Sequence, residues 1–425
     1  MWYDKILFFF KDKDLRRKMF IILGLFVVFR IAANVPIPGI GAENLKRFFA
    51  ENQVFGLLNI FSGGALSNFS IVLLGLGPYI TATIILQLLT MIFPALEKMY
   101  KEEGEAGKKK FNQYSRLLTI PLSVFESYGI LSLFQRQGVV GALPFDLLIS
   151  SIITITAGSM FLMWLGEIIS EQGMGNGISL LIFAGIVAGL PINIFQTFVS
   201  WDPSKIPSYI IFFVLSILII AGVVLITEAR RNIPVSYAKR VRGNKMYGGV
   251  STYLPLNVNP AGVIPIIFAL SILLFPTMIA GFFVGIPGWA GSAASVINSF
   301  FNDAWVHGIL YFALVILFTY FYTAVTFDPK TIADNLQKMG GFVPGVRPGN
   351  STSEFLKHIL NRVLFTGAIF LGLIAVLPSI VGGVTGVTGF TFLIGGTSLL
   401  IVVSVVLETI RQINSQLEMR EYDTF

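Results

Sequence analysis

The sequence contains no cysteine and only two histidines, His307 and His358. Disulfides and thiolate metal sites are therefore excluded, and little remains for imidazole chemistry. We find no Walker-type phosphate loop, no HExxH pair and no serine, histidine and acid set on well-defined elements. The GMGNG at 173–177 does not follow a strand, so we reject it as a nucleotide fingerprint. We expect a protein that is not an enzyme and that holds no cofactor and no metal.

The sequence also has few charged residues and many apolar ones. Only 12% of the 425 residues are charged, 54% are hydrophobic, and the mean hydropathy is +0.77. A water-soluble core cannot hold that many apolar side chains, so the sequence indicates a polytopic membrane protein. A span needs about 20 apolar residues. We predict ten spans, at 19–35, 70–93, 117–134, 147–169, 177–198, 208–227, 261–282, 305–326, 360–380 and 391–411.

Lysine and arginine predict the orientation of these spans. Of the 30 Lys and Arg residues, 25 fall before the first span, at or after the even-numbered spans or, for Arg362, at the start of span 9. Four fall in the alternate segments: Lys46, Arg47, Arg136 and Lys205. Positive charge favours the cytoplasmic side, so we expect both termini in the cytoplasm.

Two loops on that side are basic and are also predicted to contain regular secondary structure. In residues 228–260 a β-like alternation is followed by a GNK turn and a second β-like run, which predicts a protruding hairpin. In residues 327–360, Asp328 suits a helix N-cap, Pro329 the first helical position and Gly340 the C-terminal cap. Such protrusions suit docking of a partner with acidic or phosphate groups. Ordinary solvated linkers are the open alternative.

The backbone of the spans is irregular at several points. Span 2 contains SGGALSNFS and GLGP, and NPAGVIP at 259–265 opens span 7. Non-helical backbone at membrane depth is tolerated where protein buries it or where it lines a cavity, so we expect an internal path. Glu126 lies near the middle of span 3, and Arg30 toward the outer end of span 1. A single central acid is thin support for an ion-coupled transporter.

Seven ordered blocks resemble the SecY family, the channel-forming subunits of bacterial protein translocases. They are FSGGALS, GPYITATIILQLL, KEEGEAGKKKFNQYSR, GNGISLLIFAGIVAGLP, STYLPLNVNPAGVIP, TIADNLQKMGGFVPGVRPG and GGTSLLIVV. The resemblance implies an all-α membrane protein with ten transmembrane helices in two inverted five-helix halves, a clamshell with a central hourglass pore. The halves would be residues 1–200 and 201–425. It also implies a multi-pass location in the bacterial cytoplasmic membrane.

The resemblance implies four sets of functional residues. An apolar pore ring would be formed by Leu76, Ile80, Ile178, Ile182, Ile267 and Ile401. A movable plug with few large apolar side chains would comprise Phe61, Ser62, Gly63, Gly64, Ala65, Leu66, Ser67, Asn68, Phe69 and Ser70. A lateral gate between spans 2–3 and 7–8 would contain a polar cluster of Thr81, Glu126 and Asn259. Docking residues would be Lys239, Arg240, Arg242, Lys245 and Arg347.

The implied function is passage of unfolded secretory polypeptides across the membrane and sideways release of transmembrane segments into lipid. The implied partners are SecE-like and SecG-like small membrane subunits, the motor ATPase SecA, the ribosome through its RNA, and precursors with signal sequences. Without the resemblance, ten interrupted spans also fit a secondary transporter of a small solute. An intramembrane enzyme is disfavoured by the missing catalytic sets.

Overall fold

The computed structural model describes residues 12–38, 62–101, 103–136, 138–141, 143–199, 203, 206–237, 240–242, 245–247, 251–283, 288–385 and 396–423. The helices in these ranges are α1 (Lys13–Asn34), α2 (Gly77–Ile92), α3 (Pro94–Lys101), α4 (Gly104–Arg136), α5 (Phe145–Glu171), α6 (Gly177–Val199), α7 (Ile206–Glu228), α8 (Ile264–Phe283), α9 (Trp289–Asn302), α10 (Ala304–Thr326), α11 (Pro329–Lys338), α12 (Asn350–Thr385) and α13 (Gly396–Asp423). The strands are β1 (Arg230–Tyr237), β2 (Arg240–Arg242), β3 (Lys245–Tyr247), β4 (Ser251–Asn257) and β5 (Gly341–Phe342).

A helix lies at each of the ten predicted spans, namely α1, α2, α4, α5, α6, α7, α8, α10, α12 and α13. By length and hydropathy, five of the described helices can each cross a membrane alone: α4, α5, α10, α12 and α13. Helix α2 joins α3 across a bend of 115° as a sixth candidate, and α6, α7 and α8 contain shorter apolar stretches. Helix α1 is less apolar because its first turns contain the charged sequence KDLRRK.

The second predicted span begins later than the sequence pattern suggested. Residues 62–76 form turns, and the regular helix α2 begins only at Gly77, with Leu76 as its N-cap. Pro78 lies in the first turn of α2, where its missing N–H breaks no helical hydrogen bond. The break therefore leaves an irregular, largely buried segment before a short helix.

Two groups of long helices contact each other along two seams. The first group is α1, α2, α4, α5 and α6, and the second is α7, α8, α10, α12 and α13. At one seam α2 and α4 pack against α8, and at the other α6 packs against α13. The second seam includes a hydrogen bond of 2.5 Å from Gln416 Nε2 to the Gly173 carbonyl oxygen. The largest hydrophobic cluster contains residues of both groups, so the core runs across the seams.

Ion pairs connect helices within each group. Arg116 Nε on α4 lies 2.6 Å from Glu167 Oε1 on α5. In the second group, Arg411 Nη2 on α13 lies 2.6 Å from Glu228 Oε1 on α7 and also donates to the Thr227 carbonyl oxygen. Partly exposed pairs of this kind contribute about 0–1 kcal/mol each. Their main effect is therefore to orient neighbouring helices.

The two basic loops form one folded unit, although their sequences predict two separate protrusions. The predicted hairpin is present, since β1 pairs antiparallel with β4 and β2 with β3. The second loop adds β5 to the free edge of β1, in the order β4-β1-β5. Ile233 and Val235 of β1 share an apolar cluster with Leu336 of α11 and with Val343. The two loops thus share the three-stranded sheet β4-β1-β5 and a common small core, whereas β2 and β3 form a separate two-stranded sheet.

The predicted ends of α11 are confirmed. Asp328 Oδ1 accepts a hydrogen bond of 3.0 Å from the Lys330 amide, which satisfies one free donor of the first turn. Pro329 occupies the first turn, and Gly340 follows the helix with a φ of +72°. Glycine adopts this left-handed conformation without the steric penalty of a Cβ atom.

Gly107 on α4 provides a first stability prediction. A Cβ atom there would overlap the Met99 carbonyl oxygen of α3, and backbone atoms cannot move aside as a flexible side chain can. We expect Gly107→Ala to destabilise the protein by about 1–3 kcal/mol, the usual cost of overpacking. The measurement is the thermal unfolding midpoint of the purified protein in detergent. Gly24→Ala is the control, because a Cβ atom at Gly24 would meet nothing within 4 Å; an equal midpoint for both variants would contradict the close α3–α4 contact.

Candidate functional site

The six predicted pore-ring residues all lie in or against the largest apolar cluster. Leu76, Ile182 and Ile401 are among its buried members. Ile80, Ile178 and Ile267 are half-buried and pack against it. These residues come from α6, α8, α13 and the start of α2. A closely packed aliphatic cluster excludes water and therefore blocks ions without a charged filter.

The predicted plug begins outside the described residues, at Phe61, and Ser62–Ser70 are described as turns. We call residues 62–65 the plug tip and residues 66–70 the plug base. The tip carries only small side chains, from Ser62, Gly63, Gly64 and Ala65. Ala65 belongs to the same apolar cluster as the six ring residues. Ala65 of the tip is therefore part of the same continuous apolar core as the predicted ring.

The plug base differs from the expectation of few large apolar contacts. Leu66 and Phe69 are 2% and 0% exposed, and both belong to a second apolar cluster with residues of α4 and α5. The Phe69 ring lies 6.0 Å from the ring of Phe134. Phe69 also has a φ of +47°, which non-glycine residues rarely adopt. Tertiary packing thus overrides the local preference, and the base is firmly held.

Backbone contacts fix the same segment on both sides. Pro36 and Ser70 form an isolated antiparallel bridge, with the Ile37 amide donating to the Phe69 carbonyl oxygen at 2.9 Å. On α5, a Cβ atom on Gly158 would overlap the Ile71 carbonyl oxygen and lie 3.2 Å from Val72 Cα. The absence of a side chain at Gly158 is what allows α5 to approach this segment so closely.

The plug tip contacts α1 and α6. Arg30 Nη1 on α1 donates a hydrogen bond of 2.5 Å to the Gly63 carbonyl oxygen. Gly63 has a φ of +68°, and a Cβ atom there would lie 3.0 Å from both Phe29 Cζ and Gly185 Cα. A larger residue at Gly63 would therefore meet both a strained conformation and a close neighbour. Arg30 stands out in the sequence as a charge within a span, but no sequence pattern connects it with the plug.

The predicted lateral-gate cluster is brought together in part. Glu126 is 7% exposed and lies beside Thr81, whose hydroxyl group donates a hydrogen bond of 3.0 Å to the Gly77 carbonyl oxygen. Its Oε2 lies near the N-terminal end of α2, 3.8 Å from the position that a Cβ atom on Gly77 would take. The positive end of the helix dipole lies at the N-terminus, so it stabilises a negatively charged carboxyl group placed beside it. Asn259 instead donates to the Gly262 carbonyl oxygen at 3.1 Å, and in the described residues its Oδ1 has no hydrogen-bond partner.

The predicted docking residues lie on the folded unit of the two loops. Arg240 and Arg242 are on β2 and Lys245 is on β3, and the hairpin pairs Arg242 with Lys245. Lys239 lies outside the described residues. Arg347 is exposed in the turn after β5, and its carbonyl oxygen accepts a hydrogen bond of 2.8 Å from Thr352 Oγ1. That bond fixes the backbone while the guanidinium group faces outward.

The GMGNG stretch has a structural role at the second seam. Asn176 Oδ1 accepts hydrogen bonds from the Ile178 and Ser179 amides at 3.1 and 3.2 Å, so Asn176 caps the N-terminus of α6. A Cβ atom on Gly177 would overlap the Gly166 carbonyl oxygen of α5. The glycines therefore allow a tight connection between α5 and α6, which orients the helix that carries Ile178 and Ile182.

Long apolar helices, two seams between helix groups and a buried irregular segment define the class as a polytopic membrane protein built around an internal path. A family model described as SecY matches residues 70–410. The chain is 42% identical over 437 residues to the protein translocase subunit SecY of Streptomyces galbus, covering 98% of each chain. The chain belongs to the SecY family.

Solved structures show the same fold. One described as a protein-conducting channel superposes with a TM-score of 0.66 at 21% identity, covering 93% of this chain and 90% of the other. Sec61 in the canine ribosome-channel complex from the endoplasmic reticulum gives a TM-score of 0.62 at 20% identity, with the same coverage. The ten-helix fold of the family is therefore present here, in a multi-pass protein of the bacterial membrane.

Proposed function

We propose that this chain is the protein-conducting channel of a Sec translocase. It would pass unfolded secretory polypeptides across the cytoplasmic membrane and release transmembrane segments sideways into lipid. The observation that supports the proposal is that Ala65 of the plug tip and the six predicted ring residues lie in or against one continuous apolar cluster. An aliphatic constriction with a small-residue segment above it blocks ions at rest and yields to an extended chain.

We further propose the arrangement of the channel. Residues 1–200 and 201–425 would form the two halves, with both termini and both basic loops in the cytoplasm. The seam of α2 and α4 against α8 would be the lateral gate. Thr81 on α2 and the buried Glu126 on α4 lie side by side next to this seam. A hydrogen bond between polar side chains contributes about 0.5–1.5 kcal/mol, so a seam of this kind is stable yet can be opened.

The proposed partners follow from charge and position. The sheet of β1, β4 and β5 joins the two loops that carry the basic residues, with Arg240, Arg242 and Lys245 on the adjoining β2 and β3 and Arg347 after β5, and this basic character suits the motor ATPase SecA and ribosomal RNA. The structural relative Sec61 was solved in a ribosome-channel complex. SecE-like and SecG-like subunits would complete the translocase. The channel itself would be passive, with energy from ATP hydrolysis by the motor or from chain elongation by the ribosome.

Cross-linking tests this proposal directly. A photoreactive residue at Leu76 or Ile182 is expected to capture a stalled secretory chain, since both side chains belong to the ring cluster. The matched control is the same probe at Phe213 of α7, which is 65% exposed on the outer surface. Capture at Phe213 but not at the ring positions would contradict the pore. Saturable uptake of a small solute by the purified protein, without chain capture, would favour a secondary transporter instead.

Arg347 provides a test of docking. We expect Arg347→Glu to reduce motor-driven export at least tenfold, because a reversed exposed charge repels a partner that the arginine attracts. Insertion of the variant itself into the membrane should be unchanged, since Arg347 is exposed and outside the helices. Export of a model precursor into vesicles containing the variant is the measurement. Lys338→Glu on α11 is the matched charge reversal, and an equal loss there would assign the effect to overall charge rather than to Arg347.

A further inference from the structure

Arg30 lies beside the one part of the plug that has little apolar anchorage. The plug tip has only small side chains, whereas the base inserts Leu66 and Phe69 into the second apolar cluster. Burial of large side chains therefore stabilises the base far more than the tip. The contacts with α1 therefore contribute more to holding the tip in place than they do for the base.

The bond from Arg30 to Gly63 is suited to holding the tip reversibly. The guanidinium group donates to a backbone carbonyl oxygen at 2.5 Å, and Arg30 is only partly buried. Among the described residues, no carboxylate lies within ion-pair distance of Arg30. Within the described ranges the cation is thus not held in a charge pair, and its guanidinium group has further donors for water when the tip departs.

The neighbouring contacts place this bond at the movable end of the segment. Asn68 Nδ2 donates to Asn34 Oδ1 at 3.1 Å, one turn further along α1. Beyond it, the bridge between Pro36 and Ser70 fixes the base. The contacts with α1 and the residues after it therefore change along the segment. Ser70 is held by backbone pairing with Pro36, Asn68 by a side-chain hydrogen bond to Asn34, and Gly63 by the hydrogen bond from the charged Arg30 side chain.

We propose that Arg30 is a positioning residue that holds the plug tip in the closed channel. The bond to Gly63 sets how readily the tip leaves the ring cluster, and so how strictly the channel rejects weak signal sequences. This inference rests on the proposed function, since it requires residues 62–65 to close a pore. In this proposal the plug tip moves when the channel opens, while the plug base stays packed against α4 and α5.

Ion conductance of the reconstituted channel in a planar bilayer tests the inference. Arg30→Ala removes a charge-assisted bond and is expected to raise the resting open fraction about tenfold or more. Arg30→Lys keeps the charge and one donor and should give an intermediate value. Arg116→Ala, which removes an arginine from the ion pair on α4, is the matched control and should stay near the unmodified channel. The same order is expected for export of a precursor with a defective signal sequence.

A cross-link distinguishes release of the tip from general loosening. Because the natural chain has no cysteine, Ser62→Cys with Gly75→Cys introduces the only two thiols, and it joins the tip to the segment before α2 at Cβ positions 3.6 Å apart. Oxidation of this pair to a disulfide in the Arg30→Ala protein is expected to restore low conductance, compared with the same protein in its reduced form. Persistent conductance after complete cross-linking would overturn the inference, because the leak would then not arise from plug movement.

Deletion of residues 62–65 separates the role of Arg30 from the existence of the plug. A conductance increase on deletion, without one in Arg30→Ala, overturns the role of Arg30 and leaves the pore and plug intact. No increase on deletion overturns the plug and the role of Arg30, whereas the pore itself is decided separately by capture of a stalled chain at Leu76 or Ile182. Increases in both, with rescue by the cross-link, support the assignment of Arg30.

Discussion

Replacing Ile401 with asparagine is expected to raise the resting ion conductance of the channel at least tenfold. Ile401 is fully buried in the apolar cluster that contains the ring residues. A buried amide without partners costs about 1–3 kcal/mol and recruits water, whereas an aliphatic constriction seals by excluding it. A shift of about 1.4 kcal/mol toward the hydrated state changes the open population tenfold.

The control for this variant lies on the same helix. Val406→Asn introduces the same amide on α13, but Val406 is 38% exposed and outside the main cluster. Its conductance should match that of the unmodified channel. Conductance of single channels in planar bilayers is the measurement. Equal conductance for Ile401→Asn and the unmodified protein would show that Ile401 does not contribute to the seal against ions.

Gly158→Ala is expected both to destabilise the protein and to raise its ion leak. The added Cβ would overlap the Ile71 carbonyl oxygen, and its other close neighbours are also backbone atoms. Relief requires α5 to move away from the segment that precedes α2. We expect a loss of stability of about 1–3 kcal/mol together with raised ion leak, because that movement also displaces the plug base.

A graded series checks this prediction. The Cβ of Gly222→Ala would lie 3.1 Å from the end of the flexible Phe370 ring, and that of Gly24→Ala would meet nothing within 4 Å. The unfolding midpoint should therefore fall most for Gly158→Ala, slightly for Gly222→Ala and hardly for Gly24→Ala. Normal conductance in a clearly destabilised Gly158→Ala protein would show that the plug base is not coupled to α5.

The positions of the helices were predictable because long apolar runs carry that information locally. Each of the ten predicted spans coincides with a helix. The ends of α11 were also predictable, since Asp328, Pro329 and Gly340 act within one turn of their own backbone. The start of α2 was missed because residues 70–76 are as apolar as a helix, and only tertiary contacts hold them in turns.

Contacts between distant residues could not be predicted in this way. Nothing in the sequence around Phe69 indicates that it adopts a positive φ or packs against Phe134. The pairing of β1 with β5 joins residues about a hundred positions apart, and its few pairs leave no periodic pattern. The short helix α9 was missed because its 14 residues form neither a full span nor a capped motif.

The site was predictable only in part. Ile178 and Ile182 resemble many other isoleucines in the chain, so the family blocks, not hydropathy, singled them out. Arg30 was visible as a charge near the end of a span, but its acceptor is a backbone carbonyl oxygen, which leaves no mark on the sequence.

The pairing of the two basic loops also limits how the chain can change through evolution. Tyr237 faces Gly341 across the β1–β5 pair, and a Cβ on Gly341 would lie 3.0 Å from the Tyr237 ring. A glycine has no side chain to cover its strand pair. An aromatic ring that packs over the glycine covers the pair instead and stabilises it. A larger residue at Gly341 would therefore require a smaller one at Tyr237. An insertion within β1 or β5 would shift the pairs of Ser236 with Phe342 and of Tyr237 with Gly341, so at this edge a change in one loop constrains the other.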